Sequence, residues 1–128
     1  MAYVGIVLVS HSPSLASGLR DLLAQVAGPD VRVEPAGGTE DGTLGTSAEL
    51  IEGAVRRAEA GAGVLVLADL GSAVLTTRTV LEDLPPGPRL VDAPFVEGAV
   101  AAAVLASTGA DLDTVADAAR EARDVPKF

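Results

Sequence analysis

At 128 residues, with 48% apolar and only 2% aromatic side chains, the chain has the length of one domain, residues 1–128, whose core must be built from Ala, Val and Leu. Nine Lys and Arg against eighteen Asp and Glu leave a formal charge of -9, which repels phosphate backbones and anionic lipid. The absence of cysteine removes disulfides, thiolate chemistry and Cys-containing metal sites.

The opening MAYVGIVLVSHSP has neither the basic leader nor the cleavage pattern of a signal peptide. No apolar run approaches the roughly 18 residues that span a bilayer. The expectation is a soluble, cytoplasmic protein that binds no nucleic acid and inserts into no membrane.

The first apolar run, Tyr3 to Val9, reads as a strand. It is followed by a segment in which Leu15, Leu19, Leu22, Leu23 and Val26 share one helical face. A second strand is expected over Val31 to Glu34, and the stretch EPAGGTEDGTLGTS, residues 34–47, then reads as one long loop. The second helix is predicted over Thr46 to Ala60, where Thr46 and Glu49 form a capping-box start. A third strand over Gly63 to Ala68 precedes a helix from about Ser72 to Leu84, stopped by Pro85 and Pro86.

A fourth strand, Arg89 to Asp92, leads into an almost wholly apolar helix, Phe95 to Ser107, of the kind buried on several sides or at a subunit interface. The last helix, Leu112 to Arg123, takes Asp111 or Asp113 as its N-cap. Strands and helices alternate, and the strands are too uniformly apolar to have a wet face. The fold class is therefore α/β: an open, mostly parallel sheet with helices on both faces, for which strand order 2-1-3-4 is taken as the expectation.

In such sheets ligands bind beyond the carboxyl ends of the strands, where the strand order reverses. For order 2-1-3-4 that crevice lies between the loop SHSPS after the first strand and DLGSA after the third, so His11, the only histidine, would face Asp69. A carboxylate that accepts from one imidazole nitrogen fixes the tautomer and leaves the lone pair of the other free, which makes His11 a nucleophile. Gly71 and Ser72 open a helix whose unpaired N–H groups suit an anion, and Ser10 and Ser12 either donate to a phosphoryl group or cap the first helix.

No Lys or Arg occurs in these loops or in GGTEDGTLGTS, so a phosphoryl group on His11 would be held by amides and hydroxyls and poised to leave. That suits a carrier better than a hydrolase. The glycine-rich loop is either a capped connection or a partner-docking surface, with Gly38, Thr39, Gly45 and Thr46 as the docking candidates. It matches no Walker A motif, and SHSPS is no GxGxxG. The residues provide neither a nucleotide motif nor a metal constellation.

The segments VGIVLVSHSPSLASGL, GGTEDGTLGTS, GVLVLADLGSAVL and RLVDAPFVEGAVAAAVLASTGADL together resemble the phosphotransferase subunit of the phosphoenolpyruvate-dependent dihydroxyacetone kinases. That subunit is similar to the mannose-type IIA domains of the sugar phosphotransferase system. The resemblance covers nearly the whole chain. It implies that His11 is phosphorylated on its outer ring nitrogen by the carrier protein HPr, itself charged by enzyme I. The phosphoryl group then passes to ADP on the nucleotide-binding kinase subunit, and a third subunit binds dihydroxyacetone.

The same resemblance assigns Asp69 to orienting His11 and Gly71 and Ser72 to lining the phosphoryl site. ADP or ATP and magnesium belong to the partner subunit, so this chain is expected to hold no cofactor or metal of its own. A homodimer is implied, compatible with the apolar fourth helix. Glu97 has no chemical role beyond a cap or an interface contact. Some relatives continue into HPr-like and enzyme I-like domains, so the donor is expected to be a separate protein unless this chain is part of a longer one.

Two other readings share these residues. A IIA component feeding a mannose-type sugar transporter would keep His11 and Asp69 and differ in its acceptor. A receiver-like signalling module would be phosphorylated on Asp69, but receivers hold magnesium with an acidic cluster where this chain has SHS.

Overall fold

A computed structural model describes residues 2–128. Its elements follow the order β1 (Gly5–Ser10), α1 (Pro13–Val26), β2 (Val33–Gly37), α2 (Ala48–Ala58), β3 (Val64–Ala68), α3 (Gly71–Glu82), β4 (Pro88–Leu90), α4 (Phe95–Ser107) and α5 (Leu112–Glu121). A 3-10 turn over Ala122–Asp124 closes the last helix. The strands form one four-stranded sheet of order β2-β1-β3-β4 in which every pairing is parallel, as the alternation of elements predicts.

Alternate residues of the central strands feed two separate cores. Ile6, Leu8, Leu65 and Leu67 face α1, α4 and α5, while Val7, Val9, Val64 and Val66 face α2 and α3. Both faces of β1 and β3 are thus covered, which explains why their sequences lack polar alternation. With few aromatics available, close packing comes from small side chains: α4 buries Gly98, Ala99, Ala102, Ala103 and Ala106. Burial against the sheet and α5 accounts for most of the apolar character of α4, although Val96 and Val104 stay exposed.

Three expectations need correction. Strand β2 starts at Val33, two residues later than the Val-rich run implied, and continues through Pro35 to Gly37, so the glycine-rich loop is shorter than 34–47. As an edge strand, β2 tolerates a proline that has no N–H to donate. Strand β4 is only Pro88–Leu90, with Val91 adding one further bond from its N–H to Val66 O. Thr46 does not cap α2: the N-cap is Ser47, whose hydroxyl accepts from Leu50 N–H at 3.2 Å, so no reciprocal Glu closes a box. The α5 cap is Asp111, accepting from Thr114 N–H at 2.9 Å.

Candidate active site

Strand β1 ends at Ser10 and β3 at Ala68, neighbouring strands in register, so His11 and Asp69 leave the sheet side by side. Asp69 N–H donates to Val9 O at 3.1 Å and pins the two strand ends together. The imidazole Nδ1 of His11 then lies 2.9 Å from Asp69 Oδ1. On the far side of the ring, Nε2 meets the Ser72 hydroxyl in the first turn of α3. The His11 side chain is 25% exposed and that of Asp69 10%, which places the carboxylate beneath a ring open to visitors.

Asp69 is saturated with donors. Besides His11 Nδ1, Oδ1 accepts from Leu70 N–H at 2.7 Å, while Oδ2 accepts from the Ser10 hydroxyl at 2.8 Å and His11 N–H at 3.1 Å. Burial pushes this carboxyl up, but the bonds from Ser10, the His11 ring and the two backbone N–H groups together outweigh it and leave the group below the ordinary carboxylate value. An ionised carboxylate can only accept, so Nδ1 must carry the ring proton and Nε2 must carry the lone pair, on which the Ser72 hydroxyl donates.

Helix α3 has no side-chain cap. Its first intrahelical bond runs from Val74 N–H to Leu70 O, so the N–H groups of Gly71, Ser72 and Ala73 have no partner within the helix. They stand at the positive end of the helix dipole, beside Nε2. Among the described residues, no group of three or more metal-ligating side chains comes together anywhere in the chain.

The remaining candidates separate into braces and free groups. Ser10 is fully buried and its hydroxyl donates to Asp69, so it supports the carboxylate and cannot bind a phosphoryl group as the sequence allowed. Ser12 caps α1 by accepting from Leu15 N–H at 3.1 Å, and its own proton remains free. Pro13 occupies the first helical position beside it.

The glycine-rich loop also folds inward. Gly38 is buried and donates its N–H to Ser10 O, and Gly45 N–H donates to His11 O, both at 2.9 Å. Thr39 hydrogen-bonds Asp41, and Thr46 Oγ1 lies 3.1 Å from Thr76 Oγ1. Gly38 is therefore no docking surface. Together with Gly45 it clamps the turn that carries His11. Gly37 permits that clamp, because a Cβ there would lie 2.6 Å from Ser12 O and 2.7 Å from Pro13 Cα.

What sequence reading missed is the brace around the histidine. One signal for it existed: Ser10 completes a strand that is otherwise apolar and buried throughout, and a buried hydroxyl requires a partner. The bonds of Gly38 and Gly45 use backbone groups and left no such mark. An apolar cleft of about 290 Å³ between α2 and β4, lined by Val55, Leu84 and Pro86 among others, lies near the amino ends of the strands, away from His11.

Fold and site together define a phosphotransferase-system IIA domain. The chain belongs to that family, whose description reads "PTS system fructose IIA component" and whose profile matches residues 5–116. Within it the likeness is to the DhaM-type phosphoryl donor subunits. A subunit DhaM of the PEP-dependent dihydroxyacetone kinase 1 of Listeria innocua is 42% identical over 99 residues, covering 77% of this chain and 78% of that protein. The phosphotransferase subunit DhaM of Lactococcus lactis is 37% identical over 111 residues, with coverage of 87% and 89%. The phosphoryl donor subunit DhaM of Escherichia coli K12 is 40% identical over 119 residues, but these make up only 25% of its length.

A crystal structure of a protein of unknown function superposes with a TM-score of 0.84 at 35% identity, covering 94% of this chain and 95% of that one. A sigma-54 interaction domain protein from Enterococcus faecalis shares the fold alone, with a TM-score of 0.68 at 18% identity.

Proposed function

We propose that this domain is a phosphohistidine carrier of a phosphoenolpyruvate-dependent dihydroxyacetone kinase: it accepts a phosphoryl group from HPr on His11 Nε2 and passes it to ADP on the nucleotide-binding kinase subunit. The observation that carries the reading is the line Asp69–His11–Ser72, which leaves an available lone pair at the uncapped start of α3. In the first step Nε2 attacks the phosphorus of the phosphorylated donor, the donor's P–N bond breaks, and its electron pair returns to the donor imidazole. The new P–Nε2 bond makes the His11 ring an imidazolium, because Nδ1 keeps its proton, and the Asp69 carboxylate balances that charge.

The Ser72 hydroxyl moves from Nε2 to a phosphoryl oxygen, joined by the free N–H groups of Gly71, Ser72 and Ala73. In the second step a terminal oxygen of ADP attacks the same phosphorus in line and the P–Nε2 bond breaks. ATP leaves, and the ring returns to the starting tautomer. Magnesium and nucleotide belong to the acceptor subunit, and dihydroxyacetone meets the third subunit rather than this chain.

The relatives named above are all dihydroxyacetone-kinase subunits, which favours this acceptor over a sugar transporter. Phosphorylation of Asp69 in the manner of a receiver is disfavoured because both of its oxygens are occupied by hydrogen bonds. A cytoplasmic location is part of this proposal; among the described residues no helix is long and apolar enough to cross a membrane.

The test is incubation with labelled phosphoenolpyruvate, enzyme I and HPr, followed by mapping of the modified residue. Acid-labile, base-stable label is expected on His11, and none on a His11→Ala variant that keeps its fold. Base-labile label, or undiminished transfer by His11→Ala, defeats the proposal.

A further inference from the structure

The carboxyl edge of the sheet, where His11 stands, is also where the chain leaves apolar side chains in water. Leu15 lies in the first turn of α1, Leu44 precedes Gly45, Leu70 follows Asp69, and Leu75 lies one turn into α3 from Ser72. All four are exposed, Leu44 at 76%, Leu75 at 65% and Leu70 at 63%. A protein that reaches Nε2 must settle on this rim. Apolar contact supplies affinity there but little orientation, which charged groups provide.

One cation stands ready to provide it. Among the described residues, every Lys and Arg except Arg78 has a carboxylate or carbonyl partner. Arg78 is exposed and makes no hydrogen bond or ion pair. It lies seven residues beyond Gly71 on nearly the same helical face, about 10 Å along the axis, and helical side chains lean back toward the N-terminus. A standard interface of about 800 Å² per partner has a radius of about 16 Å, more than the rise along α3 from Gly71 to Arg78.

Arg78 borders a hollow of about 390 Å³ formed with Ala68, Val74, Leu90 and Val91. Asp92, on the same hollow, is paired with Arg123 at 3.4 Å. The lining is half polar, with Arg78 at its edge as the one cation among the described residues not already paired. The side chains of Val74, Leu90 and Val91 beside that guanidinium suit the aliphatic stem and carboxylate tip of a glutamate side chain. The hollow lies on the β3–β4 side, one strand beyond the crevice between β1 and β3, so a protein carboxylate suits it better than the group being transferred.

We propose that Arg78 is a positioning residue for the phosphoryl acceptor: its guanidinium takes a carboxylate of the docked, nucleotide-loaded subunit and fixes that protein's register over His11. The inference rests on the carrier function proposed above. It assigns Arg78 to the second transfer because there a phosphorylated His11, the Asp69 carboxylate and a nucleoside diphosphate converge, and a cation does most to offset their repulsion. In the donor step only one phosphoryl group enters.

The test is single-turnover transfer from the labelled full chain to the nucleotide-binding subunit loaded with ADP, at varied subunit concentration and salt. Arg78→Ala should raise the apparent KM about three- to tenfold and Arg78→Glu more, with kcat unchanged and with Arg78→Lys recovering most of the loss. The difference should shrink as salt rises. Labelling of His11 by HPr should proceed at the wild-type rate in all three variants, and that step separates failure of this proposal from failure of the carrier reading. An unchanged KM in both Arg78→Ala and Arg78→Glu overturns the assignment, as does an equal loss in the donor step or a fall in kcat alone. Melting curves verify that the variants remain folded.

Discussion

Replacing Asp69 by Asn tests the carrier mechanism at its most specific point, because asparagine keeps the shape and removes both the charge and one acceptor. The four donors around Asp69 decide how the amide settles. If its oxygen stays toward His11 Nδ1 and Leu70 N–H, the amide nitrogen faces His11 N–H, and the buried Ser10 hydroxyl loses its acceptor. If it turns over, the oxygen keeps Ser10 and His11 N–H, and only the Leu70 N–H, on an exposed residue, loses its partner. A buried unsatisfied polar group costs about 1–3 kcal/mol, whereas an exposed N–H finds water, so the second orientation wins.

That orientation aims an N–H donor at Nδ1. The ring must then carry its proton on Nε2, where no lone pair remains for phosphorus. Loss of the charged hydrogen bond alone costs about 1.5–3 kcal/mol, or about 10- to 150-fold in rate. Tautomer inversion adds to this and reaches about 10⁴-fold in hydrolase triads. Asp69→Ala forces no tautomer, so Asp69→Asn should be the slower of the two. Stopped-flow transfer from HPr gives the rates, and nitrogen NMR of the imidazole gives the protonation pattern. An Asp69→Asn variant that keeps its proton on Nδ1, or outpaces Asp69→Ala, would refute the reasoning.

The same carboxylate predicts a pH dependence. Its folded-state value is depressed, so the stability it contributes is fully present above the ordinary carboxylate range and is lost as pH falls through the lower, folded value. The stability gap between the wild type and Asp69→Asn should therefore narrow on acidification below about pH 4, as urea titrations would show. Thr77 is fully buried on α3 and its hydroxyl has no hydrogen-bond partner, so Thr77→Val should stabilise by about 1 kcal/mol and raise Tm by a few degrees. A drop in Tm would mean that the hydroxyl has a partner after all. Gly37→Ala should cost about 1–3 kcal/mol and slow phosphorylation, because its methyl would strike the start of α1 that frames His11. Gly18→Ala, exposed within α1 with nothing in the way, should gain about 0.5–1 kcal/mol in the same denaturation assay.

What could be read ahead of the structure follows physical lines. The covered parallel sheet was legible because its strands are uniformly apolar, and the meeting of His11 with Asp69 followed once order 2-1-3-4 was adopted for a small domain of this class, an order that the apolar runs do not themselves dictate. The start of β2 was not. Val31 is buried by packing in a turn, whereas the pairing with β1 begins at Val33 and runs on through Pro35, so burial and ladder position part company at an edge. Thr46 was expected to cap α2 because Glu49 stands three residues on, but the backbone turns into the helix one residue later and makes Ser47 the cap. Gly38 and Gly45 were expected as docking candidates, but their N–H groups are used internally: main-chain bonds to Ser10 and His11 carry no side-chain signature.

On the proposed carrier reading, the electrostatics of the site suit a phosphoryl group that is held without being trapped. Gly71, Ser72 and Ala73 offer a phosphoryl group three backbone N–H groups and a dipole end worth roughly half a positive charge. Asp69 sets a full negative charge behind the ring, and no Lys or Arg lies in the three loops that form the crevice. A lysine at Ser72 would bind the dianion harder and deepen the phosphorylated state, slowing its departure to the acceptor. Partial charges position the group without neutralising it, and so hold it less tightly than a full cation would. For a carrier that must load from one protein and unload to another, that balance is the functional requirement. The cation able to steer a partner, Arg78, is held back on α3, where it can orient the visitor without trapping the cargo.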